Sequence, residues 1–344
     1  MKRPTIADLA GAAGVSVSTV NRILSGNGHV RPATMQLVQD KATEIGFYGR
    51  GTIESRRKEA VRDYRLGFLL QQSSREVYRY FGEHLEMAAR RKDDARIDPV
   101  VDFVDDLAPE NIAEHLLQLG QTCEAIAVIA GDHPLITQAI AELKRKSVPV
   151  VTYITELSAP DRAGHVGLDS WKVGRTAAWF VAKTTCRPGR VIVFIGNHRY
   201  RSQDVNDAAF RSFMREHAPE FTVEDSRLTY EAPENAYRMV KELLAEGDDL
   251  AGIYVAGGGI TGVLAALRET PPEKAGRVSI VAHDLGPQTR KGLTEGLITA
   301  ALCHPLELIS DKLIETMLEA IENKDKGSIL QRTVPVEIVT PESV

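Results

Sequence analysis

The stretch from Thr5 to Tyr48 constrains this chain more than any other. Its caps, glycines and apolar spacing predict three short helices with a tight turn between the first two. Thr5 is placed to cap the first helix, with Asp8 completing a capping-box-like pair three residues on. Ile6, Leu9, Ala10 and Ala13 recur on one helical face, and Gly14 supplies the left-handed stop. Ser16 is placed to cap a second helix, Ser16 to Leu24, whose inward face is Val20, Ile23 and Leu24. Pro32 pre-sets a third helix that packs through Met35, Leu37, Val38, Ala42 and Ile45 and ends at Gly46. Helix, glycine turn, helix is the arrangement that lays its second helix in the DNA major groove. The outward residues of that helix suit the task. Arg22 can pair bidentately with guanine, Ser18 can donate or accept beside Asn21, and Val17 can pack on a thymine methyl. Ser16, Thr19 and the first amides suit phosphate, which fixes register without reading sequence.

Charge is distributed to match. The chain of 344 residues has a formal net charge of −5, yet residues 1–62 hold ten Lys and Arg against five Asp and Glu. The remainder holds 32 against 42, so a basic head precedes an acidic body, as expected of a DNA-binding module on a solvated sensor. Met1-Lys2-Arg3-Pro4 runs into a polar helix with no apolar export segment, and no apolar run reaches the roughly 18 residues of a membrane span. Cys123, Cys186 and Cys303 are far apart and outside any Cys-x-x-Cys spacing, which fits reduced thiols. These features predict a cytoplasmic protein with no membrane partner.

Thr5-Ile6-Ala7-Asp8-Leu9-Ala10, Ala13-Gly14-Val15-Ser16, Thr19-Val20-Asn21-Arg22-Ile23-Leu24 and Ile45-Gly46-Phe47 resemble the headpiece of the lactose-repressor-like (LacI/GalR) family of bacterial transcription regulators. The resemblance implies that Val17, Ser18 and Arg22 read bases. The predicted DNA contacts are Thr5, Ser16, Val17, Ser18, Thr19, Asn21, Arg22, His29, Arg50, Ile53, Arg56 and Arg57. In that family the segment corresponding to residues 49–62 forms a hinge helix on DNA, and a leucine wedges into the minor groove. Here Gly49-Arg50-Gly51 replaces the common Pro-Asn and Arg56 falls at the leucine position, leaving Ile53 as a wedge or Arg56 as a minor-groove arginine.

From Tyr64 onward, short apolar runs alternate with amphipathic helices. Leu66–Leu70, Ile97–Val104, Ala125–Ala130, Val148–Tyr153, His165–Leu168, Arg190–Ile195, Gly252–Ala256 and Val278–His283 read as buried strands of parallel sheets. This part resembles, more loosely, the periplasmic sugar-binding-protein-like core of the same family. The expected fold is a small all-α helix-turn-helix headpiece (1–48), a hinge (49–62) and an α/β two-lobed, periplasmic-binding-protein-like core (63–344) with parallel doubly wound sheets. The expected lobes are 63–154 with 286–310, and 155–285 with 311–344.

Open α/β sheets bind ligands beyond the carboxyl ends of their strands. There stand Ser74, Tyr78, Arg199, Arg201, Gly257, Asp284 and His304, the predicted effector contacts. Three positions depart from the resembled pattern. Ile154-Thr155 stands for Asp-Arg, Asp204 for an arginine, and Ala256-Gly257-Gly258 for Asn-Asp. Asp169 is read equally as a cleft residue or as the cap of the following helix. A rival reading takes Gly257-Gly258-Gly259-Ile260-Thr261-Gly262 as a G-x-G-x-x-G dinucleotide loop with Asp284 ending the next strand, the mark of a dinucleotide-binding sensor or enzyme. No nucleophile elbow, Walker loop or zinc helix motif is present. The sequence therefore predicts a non-enzymatic, homodimeric regulator, a repressor by family habit. It binds double-stranded operator DNA and a sugar-like effector, and needs neither cofactor nor metal.

Overall fold

The computed structural model describes residues 3–26, 30–60, 62–323 and 327–344. The headpiece opens with α1 (Ile6–Ala12), α2 (Val17–Ser25) and α3 (Pro32–Glu44). Its caps are those the sequence calls for. Asp8 N donates to Thr5 Oγ1 at 3.3 Å while Thr5 N donates to Asp8 Oδ2 at 2.8 Å. Ser16 Oγ accepts from Thr19 N at 3.2 Å, and Gly14, Gly26 and Gly46 take φ of +63°, +70° and +66° after the three helices. Leu9, Val20, Ile23, Val38, Ala42 and Phe47 form the core. Leu37, expected to face inward, is 43% exposed, because it lies off the Met35–Val38–Ala42 stripe that faces the other helices.

The expected hinge is a fourth helix, α4 (Arg50–Ala60), although Gly51 and its charged neighbours favour a solvated link. Ile53 explains it. It is fully buried in the headpiece core, at 0% exposure. Gly49 lets the chain turn into α4 because a Cβ there would meet the Phe47 ring at 2.8 Å.

The body begins with β1 (Asp63–Gln71), α5 (Glu76–Arg91), β2 (Arg96–Val104), α6 (Pro109–Leu119), β3 (Ala125–Val128), α7 (Pro134–Arg145), β4 (Val150–Tyr153) and β5 (Gly164–Leu168). The chain crosses over and continues through α8 (Ser170–Thr184), β6 (Arg190–Ile195), α9 (Arg201–His217), β7 (Thr222–Val223), β8 (Arg227–Leu228) and α10 (Pro233–Glu246). It goes on through β9 (Leu250–Val255), α11 (Ile260–Arg268), α12 (Pro272–Ala275), β10 (Ser279–His283), α13 (Pro287–Thr294) and β11 (Ala300–Cys303). It returns through α14 (Leu306–Glu322) to β12 (Leu330–Val334) and ends in β13 (Glu337–Val339).

Two sheets result, ordered β12-β5-β4-β3-β1-β2 and β13-β11-β10-β9-β6-β7, with β8 also on β6. Their central pairings are parallel; β13 runs antiparallel to β11 at one edge. Strand burial is near-continuous, as parallel sheets covered on both faces require. Separate cores lie around Ile126, Leu116 and Ile140 in the first lobe and around Phe194, Val240 and Ile253 in the second.

The lobe boundaries differ from the expected ones. β5 pairs with β4 and β12 in the first sheet, so that lobe runs to Leu168 rather than residue 154. β11 pairs with β10 in the second, so the return crossing falls after Cys303 rather than at residue 286. The third crossing, between β12 and β13, follows Val334. Asp169 stands at the first crossing and caps α8, its Oδ1 accepting from Lys172 N at 3.1 Å.

Candidate functional site

On the headpiece, α2 buries Val20 and Ile23 and turns Ser16, Val17, Ser18, Asn21 and Arg22 to solvent. Val17 is 45% exposed, an apolar side chain offered outward. Ser16 Oγ lies 2.8 Å from both Ser18 Oγ and Thr19 Oγ1, so the three hydroxyls form one cluster over the first turn. Thr5 is exposed but committed to Asp8, its Oγ1 donating to Asp8 Oδ2 at 2.7 Å. Arg50 is exposed. Ile53 cannot serve as a wedge from where it stands, being part of the core. Arg56 is half-buried and folded over the end of α2, where a Cβ on Gly26 would lie 3.0 Å from its Cζ. That places a cation at the negative end of the helix dipole. His29 and the side chain of Arg57 lie outside the described residues.

In the body, a cavity of about 680 Å³ lies between the carboxyl ends of the two sheets. Of the predicted effector contacts, Ser74, Tyr78, Gly257, Asp284 and His304 line it; Arg199 and Arg201 do not. Both arginines have exposed side chains, and the Arg199 carbonyl, which accepts from Asp132 N at 2.7 Å, joins the lobes.

The arginine of the cavity is Arg75, from the turn after β1. Its Nη1 donates to Glu231 Oε2 at 2.6 Å, bridging the lobes. Gln203 Nε2 donates to Glu231 Oε1 at 3.0 Å, and Gly196 N donates to Gln203 Oε1 at 2.6 Å. Burial works against the Arg75 charge, but the neighbouring Tyr78 and Glu231 outweigh it and hold the pKa above the ordinary arginine value. Tyr78 covers Arg75, with Cζ 4.9 Å from the ring centre, and its hydroxyl donates to Gln71 Oε1 at 3.0 Å. Burial pushes the Tyr78 phenol upward, so it stays a neutral donor. Tyr200 reaches the same Gln71 oxygen from the second lobe at 3.2 Å.

At the return crossing, His304 N donates to Asp284 Oδ1 at 2.9 Å, and His304 Nδ1 lies 2.8 Å from the same oxygen. Burial alone would raise the Asp284 pKa; His304 and His283 overcome it and hold the carboxylate below its ordinary value. Five residues lining the cavity, Gln72, Ile154, Tyr230, Glu231 and Asp284, take positive φ without being glycine, and Ser147 is the sixth such residue among those described. Strain of this kind collects at ligand sites.

The glycine-rich turn is explained by packing. A Cβ on Gly257 would meet Gly196 N at 2.5 Å and Gln203 Oε1 at 2.6 Å; one on Gly258 would collide with the Glu231 carboxylate; one on Gly262 would collide with the Pro233 carbonyl. The turn therefore seats its own protein groups, which removes the support for a dinucleotide loop.

Residues 5–49 match the model for bacterial regulatory proteins of the lacI family, and residues 67–325 match the periplasmic binding protein domain. The chain belongs to the lacI family of bacterial regulatory proteins. This lacI-family regulator is 23% identical to the sucrose operon repressor of Pediococcus pentosaceus over 98% of both chains. It is 41% identical over 68 residues, 20% of this chain and 18% of the other, to the maltose regulon regulatory protein MalI of Escherichia coli strain K12. Its fold is similar to an ABC transporter solute binding protein from Agrobacterium vitis bound with alpha-D-tagatopyranose, with TM-score 0.72 and 17% identity, over 81% of this chain and 95% of that one. It is equally similar to GanP, a glucose-galactose binding protein from Geobacillus stearothermophilus, with TM-score 0.72 and 17% identity, over 82% and 99% of the two chains. It is thus a DNA-binding transcription regulator with a two-lobed binding body.

Sequence reasoning missed Arg75, Gln203, Asn206 and Glu231 in this lacI-family cleft. Arg75 was within reach, one residue beyond Ser74 in a turn already suspected. Glu231 follows β8, a two-residue strand with no apolar run to announce it. A base and an acid do meet at the cavity, Arg75 after β1 and Glu231 after β8, from elements far apart in sequence.

Proposed function

We propose that this regulator is a cytoplasmic, homodimeric repressor whose operator affinity is set by a sugar-like molecule bound between the lobes. The supporting observation is the cavity, walled from both sheets and spanned by Arg75–Glu231 and Tyr200–Gln71, in a chain whose headpiece presents Val17, Ser18, Asn21 and Arg22 outward. A ligand touching both lobes binds one lobe arrangement better than another, and that difference is the free energy available for regulation. The names of the similar proteins, a sucrose operon repressor and sugar-bound solute binding proteins, support a sugar as the ligand class. The cleft carboxylates Glu231 and Asp284 are held by Arg75 and His304, which fixes their places in the cavity wall. Two heads on a dimer would meet two half-sites of a palindrome. Among the described residues no helix is long and apolar enough to cross a membrane.

The test is fluorescence anisotropy of labelled palindromic DNA titrated with the full chain, at several salt concentrations and with a panel of sugars. Steeply salt-dependent, sequence-preferring binding that one sugar changes supports the reading. Binding indifferent to sequence and to every sugar, or turnover of a sugar, would remove it.

A further inference from the structure

The charges in the cleft are already spoken for. Arg75, 28% exposed, meets Glu231, 6% exposed, and Asp284 meets His304. The remaining charged residues lining the cavity, Glu76, Arg79 and Glu234, are exposed to solvent. By contrast, among the described residues the buried cavity-lining side-chain atoms without a hydrogen-bond partner are two neutral acceptors, Gln72 Oε1 and Asn206 Oδ1. Asn206 is 3% exposed. Buried acceptors of this kind call for O–H or N–H donors, because leaving them unpaired is costly.

Glu231 also stands in a distinctive place. Its carboxylate fills the space that side chains at Gly196 and Gly258 would take, in front of the turn that leads into α11, and it faces Arg75, the half-buried guanidinium among the described residues lining the cavity. Tyr230 and Glu231 hold φ of +52° and +60°, so strained backbone delivers the side chain there. A guanidinium beside glycine backbone is a natural seat for a carboxylate or phosphate. In this chain that seat is taken by the protein's own carboxylate.

We infer that Glu231 is the charge selector of the cleft: it occupies the anion seat in front of Arg75, so the effector is an uncharged polyhydroxyl molecule and phosphorylated or acidic sugars are excluded. The inference rests on the cleft being the effector site. An anionic ligand would have to break the Arg75–Glu231 pair and leave one carboxylate buried without its cation. A neutral ligand instead places hydroxyls on Gln72 and Asn206 and leaves the pair intact.

The experiment uses the full-length chain and inorganic phosphate as the probe, read by thermal shift at constant ionic strength. Four proteins are compared: wild type, Glu231→Ala, Glu231→Gln and Arg75→Ala/Glu231→Ala. Any response from the basic headpiece is common to all four and cancels. Glu231→Ala is expected to gain a saturable rise in Tm with phosphate that wild type and the double variant lack. Glu231→Gln, which keeps the side-chain volume, is expected to gain a smaller one and decides the matter if Glu231→Ala does not fold. A saturable response of wild type that Arg75→Ala/Glu231→Ala abolishes would overturn the inference, as would folded Glu231 variants with no gain. Neutral sugars tested on wild type judge the cleft as a sugar site separately, so the two readings fail independently.

Discussion

Replacing Ile53 with alanine distinguishes a core residue from a DNA wedge. Ile53 is 0% exposed among Leu9, Val20, Ile23, Val38 and Phe47. The substitution removes three carbons, worth about 2.4 kcal/mol at roughly 0.8 kcal/mol per buried CH₂. The residual cavity brings the cost into the range of about 2–5 kcal/mol for such truncations. A core this small supplies only about 3–5 kcal/mol of net stability, so the loss lowers the folded-to-unfolded ratio of the headpiece by on the order of a hundredfold. Amide hydrogen exchange of the DNA-free full chain should show protection lost across α1 to α4, with the β1–β12 sheet unaffected. Operator affinity should fall with it, and Ile53→Val should lie between, at about 0.5–1.5 kcal/mol. Unchanged headpiece protection in Ile53→Ala, with weakened DNA binding only, would refute the core assignment and restore the wedge.

Arg22→Ala should cost about 1–3 kcal/mol of operator binding and relax preference at one base pair, measured by anisotropy on a substituted operator set; an unchanged affinity and preference would remove Arg22 from base reading. Burial holds His165 at about 4, with Glu156 opposing and Arg162 and His304 reinforcing the shift. The folded state therefore binds fewer protons than the unfolded state between roughly pH 6.5 and the folded value, so stability falls as pH drops through that window. His165→Gln should flatten that part of the Tm-versus-pH curve. Asp284 has a depressed folded pKa, so it contributes stability above the ordinary carboxylate range that is lost as pH falls through its folded value; Asp284→Asn should abolish that acid limb. Gly258→Ala should drive a methyl into the Glu231 carboxylate and destabilise the second lobe by about 1–3 kcal/mol in urea unfolding.

The headpiece was legible because its signals are local. Thr5, Gly14, Ser16 and Gly46 mark helix ends within a few residues, and Val20 and Ile23 show their burial by spacing alone. Ile53 was not legible as core, since one apolar residue in a charged helix has no periodic partner to reveal its face. In the body, the strands read easily from their apolar runs. Their division between lobes did not, because whether β5 lies beside β4 or β6 depends on pairing across the sheet, which hydropathy does not encode. Five of the seven expected cleft residues line the cavity, and its arginine was missed for the same reason. Arg199 and Arg201 stand just beyond a strand end and so read as cleft residues, whereas Arg75 and Glu231 meet only because two loops 156 residues apart face one cavity.

Coupling between the cleft and the headpiece is read directly by one titration. Operator anisotropy is measured with the full chain, with and without a saturating concentration of the neutral sugar that most raises its Tm. The predicted result is a shift in operator Kd of about 5- to 150-fold, the usual span of an allosteric coupling of about 1–3 kcal/mol. An operator Kd that stays the same while that sugar fills the cleft would contradict the account.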